Sequence, residues 1–280
     1  MLLLGLSAAS ARAQVQDAQS AQAAAASSRR LELDAELGLS VRGDASSSLT
    51  VVSPVIGARY RLSDRFGIGL DWGFVVANEA PASDASLTAF APGNPALSGD
   101  WWLSHAGPDR WQLSASIVPP AAWLPDSVEQ KGMVRAAYAY AGAARGLWNA
   151  WWWGPEQIAA ALGARWDHSL SAQVRGGAEA GLAMSVPFAY QVHNRVLSFM
   201  QLAPFIELHD KQFVAGARMQ AVAMTSASDM LQLSVVPYAG LDADRWSLLF
   251  RAVINLDGPL GFIGNGLGAW GALVCAQGQL

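Results

Sequence analysis

Glu32, Asp34 and Glu36 take every second position of Leu31–Arg42, and Leu31, Leu33, Ala35, Leu37, Leu39 and Val41 take the alternate ones. Successive side chains of an extended chain point to opposite faces, so the carboxylates share one face and the apolar residues the other. Arg59 and Arg61 repeat this spacing on the next candidate strand and Asp71 on the one after. Arg165, Arg175, Glu179, Glu207, Arg218, Asp242 and Arg251 continue it further along. Opposed carboxylates and guanidinium groups can orient a charged solute, or they can satisfy one another in a crowded interior. Both readings stay open on sequence alone.

Covalent chemistry has weaker support. Hydrolysis by a serine or an activated water needs a histidine base oriented by a third group. The histidines are His105, His168, His193 and His209, and none sits in a serine motif of recognisable spacing. His168 and His209 fall in candidate tight turns, where turn packing explains them. There is one cysteine, Cys275, which excludes an internal disulfide and a thiolate metal cluster. No metal-ligand spacing, phosphate loop or cofactor motif is present. The expectation is a protein without enzymatic activity or cofactor. A net charge of -4 without a basic run also argues against a nucleic-acid partner.

The elements that must carry the charge ladder are strands. The chain has 280 residues, 52% hydrophobic and 14% charged, against about 25% charged in soluble domains. A surface that does not face water everywhere is implied. Candidate strands run over 31–42, 50–62, 66–74, 98–105, 111–118, 158–166, 170–186, 196–208, 212–224, 230–241, 246–256 and 262–276. In 66–74, Phe66, Ile68, Leu70, Trp72 and Phe74 oppose Gly67, Gly69, Asp71 and Gly73. Large apolar residues outside and small or charged residues inside suit a strand with lipid on one face and a crowded lumen on the other. Residues 78–97 read as a long polar loop.

Aromatics flank the tight turns: Asp64-Arg65-Phe66, Asp109-Arg110-Trp111, Trp166-Asp167, Gln212-Phe213 and Asp244-Arg245-Trp246. Rings at one common strand depth are what a membrane-interface girdle requires. The turns at Asp64, Asp109, Asp167, Asp210 and Asp244 lie on one side of the membrane only if residues 119–157 cross it an even number of times. With no crossing, the sheet is an all-β antiparallel up-and-down transmembrane barrel of about 12 strands; with two, Met133–Ala143 and Ala144–Trp153 make it 14. Val128–Trp153 is alanine-rich and stops at Gly154-Pro155, predicting a partly helical external loop folded into or across the barrel mouth. Tyr138, Tyr140, Trp148, Trp151 and Trp152 are its candidate constriction residues. With Trp153, the tryptophans can stack on a solute or anchor the loop to the rim.

Residues 1–13 read as a signal peptide ending in Ala11-Arg12-Ala13, residues 14–29 as a disordered spacer, and residues 30–280 as the barrel domain.

In architecture, residues 30–280 resemble the Gram-negative outer-membrane β-barrel superfamily, porin-like, with no specific subfamily. The resemblance implies location in the outer membrane, contact with its lipid and insertion by the barrel-assembly machinery. Members commonly end in an aromatic residue, whereas this chain ends Ala276-Gln277-Gly278-Gln279-Leu280. Asn94-Pro95-Ala96 is similar to the Asn-Pro-Ala element of the fatty-acid transporter family, where it belongs to an N-terminal hatch; here it falls in a loop. The expected function is a passive channel for small solutes, lined by Glu32, Asp34, Glu36, Arg59, Arg61, Asp71, Arg165, Arg175, Glu179, Arg218 and Arg251 and narrowed by residues 119–157. The alternatives are a closed structural or adhesive barrel and a hydrophobic-compound transporter. The last would show a kinked wall strand, as at Pro204 or Pro237.

Overall fold

A computed structural model describes residues 31–43, 47–81, 86–103, 108–188, 196–225, 231–243, 245–257 and 270–280. The alternating segments form β1 (Leu31–Gly43), β2 (Ser47–Ser63), β3 (Phe66–Pro81), β4 (Leu87–Pro92), β5 (Ala96–Trp102), β6 (Asp109–Val118) and β7 (Gln157–Ser169). They continue as β8 (Val174–Pro187), β9 (Leu197–Asp210), β10 (Phe213–Met224), β11 (Leu231–Asp242), β12 (Trp246–Asn255) and β13 (Trp270–Gln279). Every pairing is antiparallel, and β1 pairs with both β2 and β13, closing the sheet into a 12-strand barrel. The twelfth place arises because β4 and β5 are two pieces of one wall strand, both paired with β3. Closure leaves no sheet edge for lipid to meet, which a strand-built membrane protein requires.

The two faces sort as alternation demands. Leu33, Leu37, Leu39, Ile56, Leu162, Leu182, Leu202 and Ile206 are exposed on the outside. Phe66 stacks near Trp101 with centroids 5.1 Å apart, and Trp111 near Trp166 at 6.1 Å, at the ends of neighbouring strands. This is the girdle expected at the tight-turn end. A second outward group, Trp72, Phe74 and Phe90, lies midway along β3 and on the adjoining β4, with Phe74 and Phe90 stacked at 5.9 Å. No helix among the described residues is long and apolar enough to cross a membrane.

The middle of the chain resolves the strand count. Val128–Ala143 is a helix, α1, and Ala150–Trp153 a 3-10 turn, so residues 119–157 contribute no wall strand. Ser127 caps α1, its hydroxyl accepting from the Gln130 N–H at 3.3 Å. The 14-strand alternative is not adopted.

Two expectations are corrected. Residues 78–97 are mostly strand rather than loop, because β3 runs on to Pro81 and β4 returns beside it, with Asn78 bonded to Thr88 across the pair at 3.0 Å. Their extra length is held by Ala77, Ala89 and Ala91, which pack inward on α1. Pro204 and Pro237 each sit in a continuous strand, paired with Ala178 and Ala217 on one side, while the ladders to β10 and β12 on the other side skip two positions there and then resume. The interruption is at Gly93–Pro95, between β4 and β5. The expected strand 262–276 is described only from Trp270. His105 and His193, the leader and the spacer lie outside the described residues.

Candidate functional site

Residues 144–149, between α1 and the 3-10 turn, lie against the inner wall. Gly146 has φ +64° and sits where α1 ends in a Schellman arrangement, Leu147 N–H donating to Gly142 O at 2.9 Å and Gly146 N–H to Ala143 O at 3.0 Å. Leu147 and Asn149 also have positive φ, a conformation costing a non-glycine residue about 1 kcal/mol or more and kept only where surroundings enforce it.

The surroundings are neutral polar side chains of the wall. A helix end leaves carbonyls without partners, and these must be satisfied. Ser40 of β1 donates to Tyr140 O at 3.4 Å, and Asn255 of β12 donates to Ala143 O at 3.1 Å. Gln201 of β9 donates to Leu147 O at 3.4 Å. Gln220 of β10, in the orientation that satisfies both neighbours, donates to Arg145 O at 3.1 Å and accepts from Arg218 Nε at 3.3 Å. Gln157 of β7 donates to Trp151 O at 3.3 Å. On β13, Gly271 lies so close to Ala144 that an added Cβ would fall 2.2 Å from its carbonyl oxygen.

Arg145 is the charged anchor. Its Nε donates to Glu36 Oε1 at 2.8 Å, Nη1 to Ser53 Oγ and Ala141 O, and Nη2 to Ser53 O, the last three each at 2.8 Å. The guanidinium also covers the Trp153 ring at 4.9 Å. The Arg145 side chain is 6% exposed, so this charge is buried and fully directed.

Apolar contacts complete the circuit. Met133, Val134, Ala137, Tyr138, Ala141 and Trp153 pack on Val51 and Val55 of β2, Val75 and Ala77 of β3 and Ala91 of β4. Trp151 packs on Ala96, Val118, Ala159, Ala183 and Phe199, which belong to β5 through β9. Gly146 abuts Ser234 of β11. Every wall strand therefore touches residues 133–157 at this level. The inward-folded segment is a stopper, not a fringe on the mouth.

Between the stopper and the tight turns lies the charge ladder, facing inward. Arg59 reaches Asp34 on β1 and Asp71 on β3, the latter at 3.1 Å. Arg61 covers the Trp102 ring at 4.7 Å. Glu36 pairs with Arg145 rather than with a wall arginine. Across the lumen, Arg165 bonds Asp167 and Glu179 at 2.9 and 2.8 Å, and Arg218 bonds Glu179 at 2.6 Å. Arg175 lies 3.9 Å from Glu207, which also meets His209 at 3.2 Å and accepts from the Tyr238 hydroxyl at 2.8 Å. Trp148 hangs below the stopper over Arg218, 4.1 Å from ring to guanidinium. The β1–β5 side, with Glu32, Asp34, Asp71 and Asp100 against Arg59 and Arg61, is acidic. The β7–β12 side carries Arg165, Arg175, Arg218 and Arg251 with Asp167, Glu179, Glu207 and Asp242, and its signs balance.

Of the predicted constriction residues, Tyr138, Tyr140 and Trp151 are buried in the stopper, Trp152 is half-buried beside the wall interruption and Trp148 faces the ladder. His168 bonds Asp109 at 2.9 Å and His209 bonds Glu207, both near the tight-turn end. Sequence reasoning missed Arg145 and the ring of Ser40, Ser53, Gln201, Gln220, Ser234 and Asn255. The available signal was positional: along the inward face, charges give way to serine, glutamine and asparagine toward the loop end.

Asn94 was also missed as a structural centre. It is 1% exposed. Its Oδ1 accepts from the N–H groups of Ala121 and Ala122, each at 2.8 Å, while Nδ2 donates to Gly154 O at 2.7 Å and Trp151 O at 3.3 Å. One side chain thus joins the split strand, the chain leaving β6 and the tryptophan turn.

No known family profile matches the sequence, and no curated protein matches it. Solved structures do match the fold. The COG4313 outer membrane channel from Pseudomonas putida F1 superposes with a TM-score of 0.57 at 9% identity, covering 90% of this chain and 96% of that one. The NanC porin superposes at 0.53 with 4% identity, covering 89% of this chain and 100% of that one. The chain has the fold of Gram-negative outer-membrane β-barrels, with an outward apolar band and aromatics at the tight-turn end.

Proposed function

We propose that the protein is a passive outer-membrane channel for small solutes, narrowed by its own inward-folded segment. The observation that carries this reading is how the stopper is seated. It meets the wall mainly through neutral hydrogen bonds and apolar packing, above a lumen whose β1–β5 side is acidic and whose far side is balanced in sign. A barrel needing only to fill its interior would do so with wall side chains. Here the filling is a separate element, entered at Pro119–Pro120 and left at Gly154–Pro155. The Tyr140 hydroxyl and the Trp151 and Trp153 indole N–H groups find no hydrogen-bond partner among the described residues. Each such buried group costs about 1–3 kcal/mol, so the seated position is held less firmly than a satisfied core.

A solute that enters past the stopper meets a field directed across the lumen, which orients dipolar molecules. Liposome swelling with the purified full chain tests the reading. Swelling in isosmotic small zwitterions, and none in solutes too large for a 12-strand barrel, is expected. No swelling by the folded protein or by Arg145→Ala would instead support the closed structural barrel.

A further inference from the structure

We infer that Arg218 and Arg251 form a binding site for small organic carboxylates inside the barrel, placed so that its occupant competes with the stopper for Arg218. The inference rests on the channel reading above and names a class of solute for it.

Arg251 stands half-buried on the inward face of β12, with neither a hydrogen bond nor an ion pair among the described residues. The groups close enough to share its field are Arg218, Tyr238 and Cys275, one of like charge and two neutral at pH 7. The carboxylates around it are engaged elsewhere. Glu179 serves Arg165 and Arg218, Asp167 serves Arg165, and Glu36 serves Arg145. Glu207 serves Arg175, His209 and the Tyr238 hydroxyl. Asp242 lies four residues along β11 from Tyr238, the residue paired with Arg251, a separation of about 13 Å. Arg165, Arg218 and Arg251 therefore share two carboxylates, Asp167 and Glu179. Arginine stays protonated in proteins, so the group is one negative charge short.

Arg218 is the second arm of the site. Its Nη1 donates to Glu179 at 2.6 Å and its Nε to Gln220 at 3.3 Å, while the buried Nη2 finds no acceptor among the described residues. Arg218 is opposite Val236 on β11, two residues from Tyr238. The two arginines thus stand two strands apart, about 10 Å across the sheet. Side chains of this length converge over that span, and a carboxylate has an oxygen for each guanidinium.

The surroundings select the occupant. The wall between the arginines is apolar, built of Val236, Val253 and Leu273. Trp148 lies over Arg218 and Phe205 under Arg165. A single carboxylate on a small apolar body suits this lining. Phosphate would bring a second negative charge toward Glu179 and further oxygens without donors. Arg218 is also where ladder and stopper meet, through the Trp148 ring and through Gln220, which donates to Arg145 O. A carboxylate that takes Nη2 draws Arg218 from both and loosens the seat.

Calorimetric titration of the full chain, folded in detergent, with butyrate, butyramide and inorganic phosphate tests the site. Butyrate is expected to bind, and butyramide, of the same shape without the charge, is not. Arg251 bonds nothing in the fold, so Arg251→Gln should keep the heat-dependent gel shift while weakening butyrate about tenfold or more. Arg251→Lys should recover part of the loss, having the charge but not the planar fork. Butyrate, and not butyramide, should also raise protease access to residues 128–153. Absence of butyrate binding, or equal binding by Arg251→Gln, would overturn the site. Phosphate bound as tightly as butyrate would overturn the carboxylate assignment, and unchanged protease access the competition with the stopper. Because binding is read without a membrane, a chain that swells liposomes without binding butyrate loses this inference alone. One that binds butyrate without swelling loses the channel instead.

Discussion

Glu36 Oε1 and Arg145 Nε are 2.8 Å apart, and the residues are separated by 109 positions in the chain. The contact ties the end of the inward-folded helix to the first wall strand, beside its closure with β13. Breaking a buried pair from one side costs about 3–5 kcal/mol, because the remaining charge is left uncompensated. Arg145→Ala is expected to unseat the stopper and enlarge single-channel steps. Arg145→Ala with Glu36→Gln should retain the enlarged steps and recover part of the lost thermal stability, read from the temperature of the gel-mobility shift.

Steric pressure should reproduce that effect without touching a charge. At Gly271 an added Cβ would fall 2.2 Å from Ala144 O, a backbone atom that cannot rotate aside. Gly271→Ala is expected to displace the helix end and make residues 128–153 accessible to protease. Gly278→Ala, on the same strand with nothing within 4 Å, is the matched control and should behave as wild type.

How much of this was legible in the sequence follows from where each constraint resides. The alternation of Leu31–Arg42 and its repeats predicted the wall because lipid enforces a period of two on every strand. The turn aromatics predicted the girdle for the same reason. Proline at 204 and 237 looked disruptive only by residue type; each is accommodated within a continuous strand. Asn94 was hidden because its role depends on carbonyls at Trp151 and Gly154, some 60 residues away, and no local pattern encodes that meeting. Arg145 was hidden likewise: within an alanine-rich run it reads as a solvated helix charge.

Asn94→Ala removes bonds to two N–H groups and two carbonyls at once. With unsatisfied groups costing about 1–3 kcal/mol each, the joint between the split strand and the tryptophan turn should loosen by about 2–4 kcal/mol. Faster hydrogen exchange at Ala121 and Ala122 is expected, with exchange at β9 and β10 unchanged.

Glu179 accepts from both Arg165 and Arg218 on the β7–β12 side of the lumen. Glu179→Gln takes the carboxylate from Arg218 and leaves Arg165 with Asp167 alone. Reversal potentials under a potassium chloride gradient are expected to shift toward anion selectivity, most strongly at low salt, where screening is weakest. An unchanged potential would mean that ions do not pass this part of the lumen.

Conductance across a planar bilayer, measured for the full chain and for one in which residues 128–153 are replaced by a short glycine–serine connection, tests the stopper most directly. Folding of both is checked first by their heat-dependent gel shift. Steady ohmic steps that grow several-fold on replacement are the predicted result. Identical steps, or silence from a folded barrel lacking the segment, would contradict it.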